Sequence, residues 1–265
     1  MNPVSIEKIN EGSVNEDAAI ALPDMAAVSD GAGGAGLYAE QWSRYLVDNL
    51  PLSPIVFFEE LDRWLGSIWE SFYSTCEVMA RAAGGMVLSK FYDEGSYATL
   101  AAVWRLSAEE CRWMAYGDSV VFHYNWERHS LEHSFTSLAD FDKPPHLIND
   151  KDELLREGFS SGLFHTDEYS AVFVTSDALA HYIMMMYELS YRERFADELR
   201  LALESRSRNS QYIKNAMKLR KLRFEPDILQ RLFTTMLCKR DFTRHLSLKV
   251  RDNLLSVDDY SLARL

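Results

Sequence analysis

The chain has 265 residues, of which 47% are hydrophobic and 26% are charged, a composition typical of a globular protein with a sizeable core. Its net charge of −12 argues against a nucleic-acid-binding surface, because binding to phosphate backbones depends on Lys and Arg. Three cysteines that are far apart in the sequence give neither a zinc-type spacing nor a disulfide framework, which favours a reducing compartment.

The first eight residues have neither the basic region nor the apolar region of a secretory signal. No uncharged apolar run approaches the ~20 residues that a membrane-spanning helix needs. We therefore expect a cytoplasmic protein that binds neither a membrane nor a nucleic acid.

Alternating apolar side chains predict strands, and apolar residues spaced three or four apart predict helices. In the first third of the chain these patterns predict a strand before Gly12, strands at 18–22 and 25–28, and helices at 37–50 and 54–83. Pro51 would end the first helix, and Gly84-Gly85 would end the second.

The periodicity changes after the second predicted helix. Runs rich in β-branched and aromatic residues follow at 95–106, 111–116 and 120–126. Turn residues such as Gly117-Asp118-Ser119 separate these runs, which predicts an antiparallel meander. Residues 127–168 are polar and irregular, and the length of this segment predicts a flap-like insertion.

The last third of the chain begins with a buried strand at 170–175 and ends with a strand at 260–265. Between them, residues 180–255 are mostly helical in pattern. Because strands come from both ends of the chain with helices between them, we expect residues 1–265 to form a single domain.

The stretch from Met25 to Gly36 joins an apolar strand, the carboxylate of Asp30 and a loop rich in glycine. Its glycines fit G-x-G-x-x-G, a pattern that can cradle a pyrophosphate at a helix N-terminus. Alternatively, Asp30 and the Gly31 carbonyl offer oxygen ligands to a hard divalent cation. A third interpretation is a tight turn that lets a helix pack closely on a sheet.

Acidic residues lie at the ends of most predicted strands, beside small or turn residues. They are Glu16, Asp17, Asp30, Asp118, Asp177, Asp258 and Asp259. Each one alone is typical of a turn or a cap, but together at one sheet edge they would repel one another unless cations paired with them. Carboxylates with a backbone carbonyl suit Mg²⁺ or Mn²⁺ and do not suit Zn²⁺, which prefers His or Cys.

Six short motifs occur in a fixed order along the chain. They are Asn15-Glu16-Asp17, Val28-Ser29-Asp30-Gly31-Ala32-Gly33-Gly34, Gly95-Ser96-Tyr97-Ala98-Thr99, Gly117-Asp118-Ser119, Thr175-Ser176-Asp177 and Asp258-Asp259-Tyr260-Ser261. In this order the sequence resembles a bacterial-like member of the type-2C (PPM) family of metal-dependent protein Ser/Thr phosphatases. The resemblance spans nearly the whole chain. It implies an α+β fold, a four-layer αββα sandwich in which helices flank two antiparallel β-sheets.

The resemblance also implies a site for two Mg²⁺ or Mn²⁺ ions and no organic cofactor. The implied ligands are Glu16, Asp30 and the Gly31 carbonyl for one metal, and Asp30, Asp177 and Asp258 for the other. Asp30 would therefore bridge the metals as the central catalytic residue. Asp17 would lie in the outer shell, and Asp118 would help to bind a third, weaker cation. Water activated by both metals would attack phosphorus in line, without a covalent enzyme intermediate.

Several positions depart from the family's pattern. The Arg that often stands four residues before the Glu of the first motif, where it grips the substrate phosphate, is Gly12 here. The His that follows Asp-Gly in many eukaryotic members is Ala32, and small residues are common there in bacterial members. The Gly expected after Asp177 is Ala178, and the acid expected four residues after Asp177 is His181.

These features predict a metal-dependent signalling phosphatase that hydrolyses phosphoserine or phosphothreonine in a protein phosphorylated by a Ser/Thr kinase. A catalytically weak pseudophosphatase, acting as a binding module, is an alternative that the glycine at position 12 motivates. A dinucleotide-binding oxidoreductase of the Rossmann type is a further alternative. It requires a strand at 54–59, whereas the phosphatase requires a helix across 54–83.

Overall fold

The computed structural model describes residues 2–9, 11–205 and 207–265 of the chain. Within these ranges, two antiparallel five-stranded sheets stack face to face, and a separate pair of short strands lies beside them. Helices pack on the outer face of each large sheet. The predicted four-layer αββα sandwich is therefore confirmed.

The strands are β1 (Val4–Ile6), β2 (Ala18–Leu22), β3 (Met25–Ser29), β4 (Tyr97–Ala98), β5 (Leu100–Arg105), β6 (Glu110–Tyr116), β7 (Val120–Asn125), β8 (Ser130–His133), β9 (Ile148–Asn149), β10 (Phe159–His165), β11 (Ser170–Thr175) and β12 (Tyr260–Arg264). The helices are α1 (Ala39–Asp48), α2 (Phe58–Ala83), α3 (Gly85–Glu94), α4 (Asp177–Ser190), α5 (Ala196–Glu204), α6 (Arg208–Ala216), α7 (Gln230–Thr235) and α8 (Lys239–Arg251). Short 3₁₀ turns at Leu138–Asp142 and Arg156–Gly158, and a π turn at Glu225–Leu229, connect some of them.

The first sheet has the strand order β1-β12-β11-β7-β8, and the second has the order β10-β6-β5-β3-β2. In the first sheet β1 pairs with β12, so that Val4 lies opposite Leu262 and the two ends of the chain meet. In the second sheet the hairpin of β2 and β3 places Ala18 opposite Ser29. Strand ends from distant parts of the sequence are thereby brought to one edge of the sandwich.

Each interface between layers has its own hydrophobic core. Small and β-branched residues such as Val28 and Val174 fill the space between the sheets, where the backbones approach closely. Trp42 and Phe72 pack from α1 and α2 onto the second sheet. Helices α4 to α8 cover the first sheet, and α4 is buried over almost its whole length because it lies between that sheet and the other helices.

The predicted meander of three consecutive strands is wrong in its third member. Strands β5 and β6 pair in the second sheet, but β7 crosses to the first sheet and pairs with β11 and β8. The turn at residues 117–119 is therefore a connection between the sheets rather than a hairpin turn. The local pattern specifies a strand, but the partner of that strand depends on contacts distant in sequence.

Regular structure is also present where the sequence predicted an irregular segment. Residues 127–168 contain β8, β9 and β10, and β10 pairs with β6 along its whole length. Its central glycine, Gly162, lies against Trp113, where the ring leaves no space for a Cβ atom. Polar residues in β10 hid the alternating pattern that identifies a strand.

The helical predictions hold with shifted ends. The helix predicted at 54–83 begins at Phe58, and residues 54–57 form no strand, so the element that the Rossmann interpretation requires is absent from this described range. The strands around it are antiparallel, unlike the parallel sheet of a dinucleotide-binding fold. Helix α3 was not predicted, because Gly84-Gly85 was interpreted only as the end of α2.

The length and hydropathy of the helices test whether any of them could cross a membrane. Within the part of the chain that the structure describes, none of them combines the length and the apolar character that crossing a bilayer requires.

Candidate metal centre

Two of the predicted site residues flank the hairpin of the second sheet. Asp17 immediately precedes β2 and Asp30 immediately follows β3. Because Ala18 pairs with Ser29, the two acids lie at the same end of the hairpin. The two-residue turn at Pro23-Asp24 fixes this register, because it pairs Leu22 with Met25 and so determines which residues of the two strands lie opposite each other.

The first sheet brings three more acids to the same edge. Asp177 follows β11, Asp258 precedes β12, and Asp118 lies in the connection before β7. These strands are neighbours and antiparallel, so the end of β11 lies beside the starts of β7 and β12. The predicted convergence of strand-end carboxylates thus occurs in the fold.

Hydrogen bonds fix the backbone of Asp30. Its N–H donates to the Thr99 hydroxyl at 3.2 Å, and the Thr99 N–H donates to the Asp30 carbonyl at 2.8 Å. The Thr99 hydroxyl is also 2.7 Å from that of Ser119, next to Asp118. A small buried hydroxyl network therefore ties the loop after β3 to the connection between the sheets.

Close approach, rather than phosphate binding, accounts for two of the loop glycines. A Cβ on Gly33 would lie 1.8 Å from the Glu16 Oε1 atom, so the absence of a side chain makes room for that carboxylate. A Cβ on Gly31 would lie 2.6 Å from the Glu16 carbonyl oxygen and 2.7 Å from that of Ala39. The tight-packing interpretation of this loop is therefore supported at Gly31, and the Glu16 side chain is brought close to the loop.

The carboxylates at this edge are close enough to affect one another's protonation. Burial raises the pKa of Asp30 well above its usual range, and nearby carboxylates raise it further; in decreasing order of effect they are Asp17, Asp177, Asp118 and Asp258. Burial also raises the pKa of Asp177 well above its usual range, as do the negative charges of its neighbours. Burial and mutual repulsion therefore disfavour the ionised form of these two acids in the folded chain.

Asp17 and Asp118 show the same effect. Burial raises the pKa of Asp17 to about 7, against hydrogen bonding from Ser176 and Ser261 that lowers it. Burial raises the pKa of Asp118 to about 6, with a contribution from the charge of Asp258. Neither carboxylate oxygen of Asp17 meets strict hydrogen-bond geometry with a partner among the described residues.

One cation, Lys8, lies among these acids. Its Nζ atom is 3.8 Å from the Glu16 Oε2 atom and 3.6 Å from the Asp258 Oδ1 atom. Asp259 positions the same segment, because its carboxylate accepts hydrogen bonds from the backbone N–H groups of Lys8 at 2.8 Å and Glu16 at 2.9 Å. The sequence analysis assigned no role to Lys8. It included Asp259 only among the acids at strand ends, without its contacts to backbone N–H groups.

The donor set fits a hard divalent cation. It consists of carboxylates together with the Gly31 carbonyl. Beside it, the buried Asp17 carboxylate lacks a hydrogen-bond partner among the described residues, and a nearby cation would offset its charge. In the arrangement that the structure shows, no group of three or more His, Cys, Asp or Glu side chains among the described residues is positioned to hold a metal ion. Strand pairing nevertheless brings the backbone of Asp17 close to that of Asp30, and the backbones of Asp118, Asp177 and Asp258 to one end of the first sheet.

His181, which replaces an acid of the family's pattern, does not join this cluster. It is buried in α4 with its ring edge against Phe141 and near Tyr212. Burial lowers its pKa to about 4, which makes it a neutral core residue.

The fold is similar to solved structures of bacterial Ser/Thr phosphatases. The serine/threonine phosphatase PstP/Ppp of Mycobacterium tuberculosis superposes with a TM-score of 0.54 at 12% identity, over 98% of this chain and 94% of that chain. The catalytic domain of PstP in complex with two manganese ions gives a TM-score of 0.52 at 12% identity, over the same shares, 98% and 94%. PppA, a regulatory component of the type VI secretion system (T6SS) in Pseudomonas aeruginosa, gives a TM-score of 0.53 at 16% identity, over 99% and 96%.

No protein-family model matches the sequence, and no curated protein matches it either. The resemblance to PPM-type phosphatases is therefore confirmed at the level of the fold, which extends over nearly the whole of each chain.

Proposed function

We propose that this chain is a type-2C (PPM) phosphatase that hydrolyses phosphoserine or phosphothreonine with the help of divalent cations. The observation that carries the proposal is the convergence of carboxylates from five separate strand ends on one edge of an αββα sandwich, at positions matching the family's motifs. Residues 1–265 would form one domain, with 127–168 as a flap-like insertion and 180–255 as a mostly helical segment.

Two Mg²⁺ or Mn²⁺ ions would bind at this edge. One would be held by Glu16, Asp30 and the Gly31 carbonyl, and the other by Asp30, Asp177 and Asp258. Asp17 would support the ligands from behind, and Asp118 would contribute to a third, weaker position. When bound, such cations supply the positive charge that neutralises phosphoryl oxygens and lowers the pKa of a water nucleophile.

The chain's own residues prepare this edge. The Thr99 hydroxyl orients the Asp30 backbone, and Gly33 leaves the space that the Glu16 carboxylate occupies. The Asp259 carboxylate accepts a hydrogen bond from the Glu16 N–H and so fixes the backbone position from which the Glu16 side chain extends. Such support from surrounding residues is what keeps ligands within the small tolerance that catalysis needs.

A protein substrate fits the surroundings of the cluster. A cavity of about 370 Å³ opens beside Asp118 and is lined by the flap residues Phe135, Lys143 and His146. Its lining is mixed in polarity, which suits a peptide segment around a phosphorylated side chain. The proposed partner is the phosphorylated target of a Ser/Thr kinase, in cytoplasmic signalling.

Hydrolysis of p-nitrophenyl phosphate and of a phosphothreonine peptide tests the proposal. Wild-type protein should be active with Mn²⁺ and inactive in excess EDTA. Asp30→Asn should reduce turnover by a factor of at least ~100, because it weakens a ligand shared by both cations. Activity that survives EDTA, or an Asp30→Asn variant as active as wild type, would contradict the metal-dependent mechanism.

A second candidate is a pseudophosphatase that uses the fold for binding. It is favoured by the glycine at position 12 and by the Lys8 ammonium beside two of the proposed ligands. Isothermal titration calorimetry distinguishes the two functions. Binding of Mn²⁺ without turnover on either substrate would support the pseudophosphatase, whereas binding with turnover would support the enzyme.

A further inference from the structure

Lys8 lies beside the acids of the proposed site and forms ion pairs with two of them. It lies just after β1, its side chain is 27% exposed, and its backbone N–H is anchored by Asp259. Among the described residues, it is the one Lys or Arg that forms ion pairs with the acids of the proposed site, namely Glu16 and Asp258. The ammonium group therefore stands between a proposed ligand of one metal and a proposed ligand of the other.

These ion pairs are long and partly solvated. At 3.6 and 3.8 Å they exceed the length of a hydrogen bond, and the Asp258 side chain is 37% exposed. Ion pairs of this kind contribute little free energy, so the ammonium is not locked to either carboxylate. Cations that neutralise Glu16 and Asp258 would weaken the pairs further and leave the Lys8 ammonium available to an anion.

The position from which the family grips the phosphate offers no side chain here. Gly12 is exposed, and among the described residues an added Cβ would have no atom within 4 Å, so the space beside its backbone is open. A phosphomonoester dianion that approaches this acidic edge is attracted by a positive side chain in addition to the metals. Lys8 carries that charge on a flexible stem, which allows it to turn from the carboxylates to a phosphoryl oxygen.

We propose that Lys8 binds the phosphoryl group of the substrate. This inference rests on the proposed phosphatase function and deepens it, because it assigns the phosphate contact to a lysine eight residues before Glu16. The ammonium donates to a phosphoryl oxygen in the metal-loaded protein and pairs with Glu16 and Asp258 when no metal is bound.

The test compares Lys8→Met and Lys8→Arg in the Mg²⁺-loaded protein, with inorganic phosphate as the probe in calorimetry. Lys8→Met should weaken phosphate binding by about 10-fold, the value of one charge-assisted hydrogen bond, and should raise KM more than it lowers kcat. Lys8→Arg should bind phosphate within about threefold of wild type, because it retains the charge. Lys239→Met is the matched control, since Lys239 pairs with Glu7 on the exposed surface.

Titration of Mg²⁺ alone separates phosphate binding from a merely structural role. Lys8→Met should bind Mg²⁺ at least as tightly as wild type, because a competing and repelling cation has been removed. If Lys8→Met instead loses Mg²⁺ and phosphate affinity together, Lys8 only assembles the carboxylates and the inference is overturned. Unchanged phosphate affinity in Lys8→Met also overturns it. If the wild-type protein binds no divalent cation, the proposed phosphatase function is wrong. This outcome is distinguishable from failure of the Lys8 inference, because it is measured on wild type alone.

Discussion

At the scale of single residues, the glycine loop offers a matched pair of substitutions. Gly33→Ala would place a methyl group 1.8 Å from the Glu16 Oε1 atom, whereas a Cβ on Gly34 would meet nothing within 4 Å. Because the obstacle is the end of a flexible side chain, the Gly33 variant should fold while its Glu16 carboxylate moves away. We expect Gly33→Ala to lose about 10-fold or more in Mn²⁺ affinity, the cost of misplacing one charged ligand.

Calorimetric titration with Mn²⁺ measures this effect, and Gly34→Ala is its control. Wild-type Mn²⁺ affinity in both variants would show that Glu16 does not bind the cation. Equal loss in both variants would show that the loop backbone, rather than the position of Glu16, determines affinity.

Glu188 provides a second prediction, away from the candidate site. Its side chain is 6% exposed in α4, and its Oε2 atom has no hydrogen-bond partner within the described part of the chain. Burial raises its pKa to about 8, with a contribution from the charge of Glu198. A carboxyl with a raised pKa holds its proton in the folded state, so its ionisation destabilises the fold as pH rises from about 4.5 to about 8.

Glu188→Gln removes that penalty. The variant should match wild type at pH 4.5 and exceed its free energy of unfolding by up to about 4 kcal/mol at pH 8, according to the linkage between pKa and stability. Urea denaturation at both pH values measures the difference, with the exposed Glu193→Gln as control. A constant difference between wild type and Glu188→Gln at both pH values would contradict ionisation of this side chain.

The residues of the candidate site were predictable to different degrees. The acids at strand ends could be identified because each stands beside a turn and an apolar run, a pattern visible in the sequence. The roles of Lys8 and Asp259 were not visible, since Asp259 acts on backbone N–H groups that any residue provides. Contacts of this kind leave no residue pattern and appear only when the strands are assembled.

At the scale of elements, Asp259 joins the segment between β1 and β2 to the start of β12. Its buried carboxylate accepts from the N–H groups of Lys8 and Glu16, two donors that Asp259→Ala would leave unpaired. We expect the variant to lose about 1–3 kcal/mol of unfolding free energy, since an unpaired buried donor costs about 1–3 kcal/mol and these two donors are partly buried. This loss outweighs the relief of repulsion from neighbouring acids at a partly solvated edge.

Chemical denaturation measures this loss, with Asp252→Ala as the control. Asp252 is an exposed carboxylate that pairs with Arg251, so its removal should change stability by less than about 0.5 kcal/mol. A stability of Asp259→Ala equal to that of the control would mean that this connection does not hold the N-terminal segment.

Helices with a regular spacing of apolar residues were predictable from the sequence. The pairing of strands was not, because it depends on residues distant in sequence. The pattern of apolar residues identified α1 and α2, with errors of a few residues at their ends. Helix α3 was not predicted, because a glycine pair ends one helix without specifying which element follows it. The assignment of β7 to the other sheet also escaped, because pairing depends on contacts with β11, which lies about fifty residues further along the chain.

At the scale of the whole molecule, the fold holds a set of acids against their mutual repulsion. The resemblance to a known family supplied the sandwich, and the structure adds that both sheets are needed to bring the acids together. Asp17 and Asp30 come from the second sheet, whereas Asp118, Asp177 and Asp258 belong to the first sheet or the connection to it. A cation that binds these acids binds only when both sheets are folded, so cation binding should raise the free energy of unfolding of the whole domain.

That linkage has a definite dependence on pH. The pKa of Asp118 is raised to about 6 and that of Asp17 to about 7, so without cations the folded state retains protons that the unfolded state releases above pH 4. The contribution of these acids to stability is fully present at the acidic end of this range and is lost as pH rises through 6 and 7. Two histidines act in the opposite direction, since burial lowers the pKa of His181 to about 4 and partial burial lowers that of His245 to about 4.

The difference between the melting temperatures with Mn²⁺ and with EDTA reports the effect of the cation on the acids. The contribution of the histidines cancels, because it is the same in both samples. Saturating Mn²⁺ at 100 times its Kd should stabilise the fold by about 2.7 kcal/mol at neutral pH. The difference should shrink as pH falls to 5.5, because protons then compete with the cation for the carboxylates. Asp30→Asn should show a smaller difference at every pH. A difference that is independent of pH would mean that Mn²⁺ stabilises the protein at a place other than these acids.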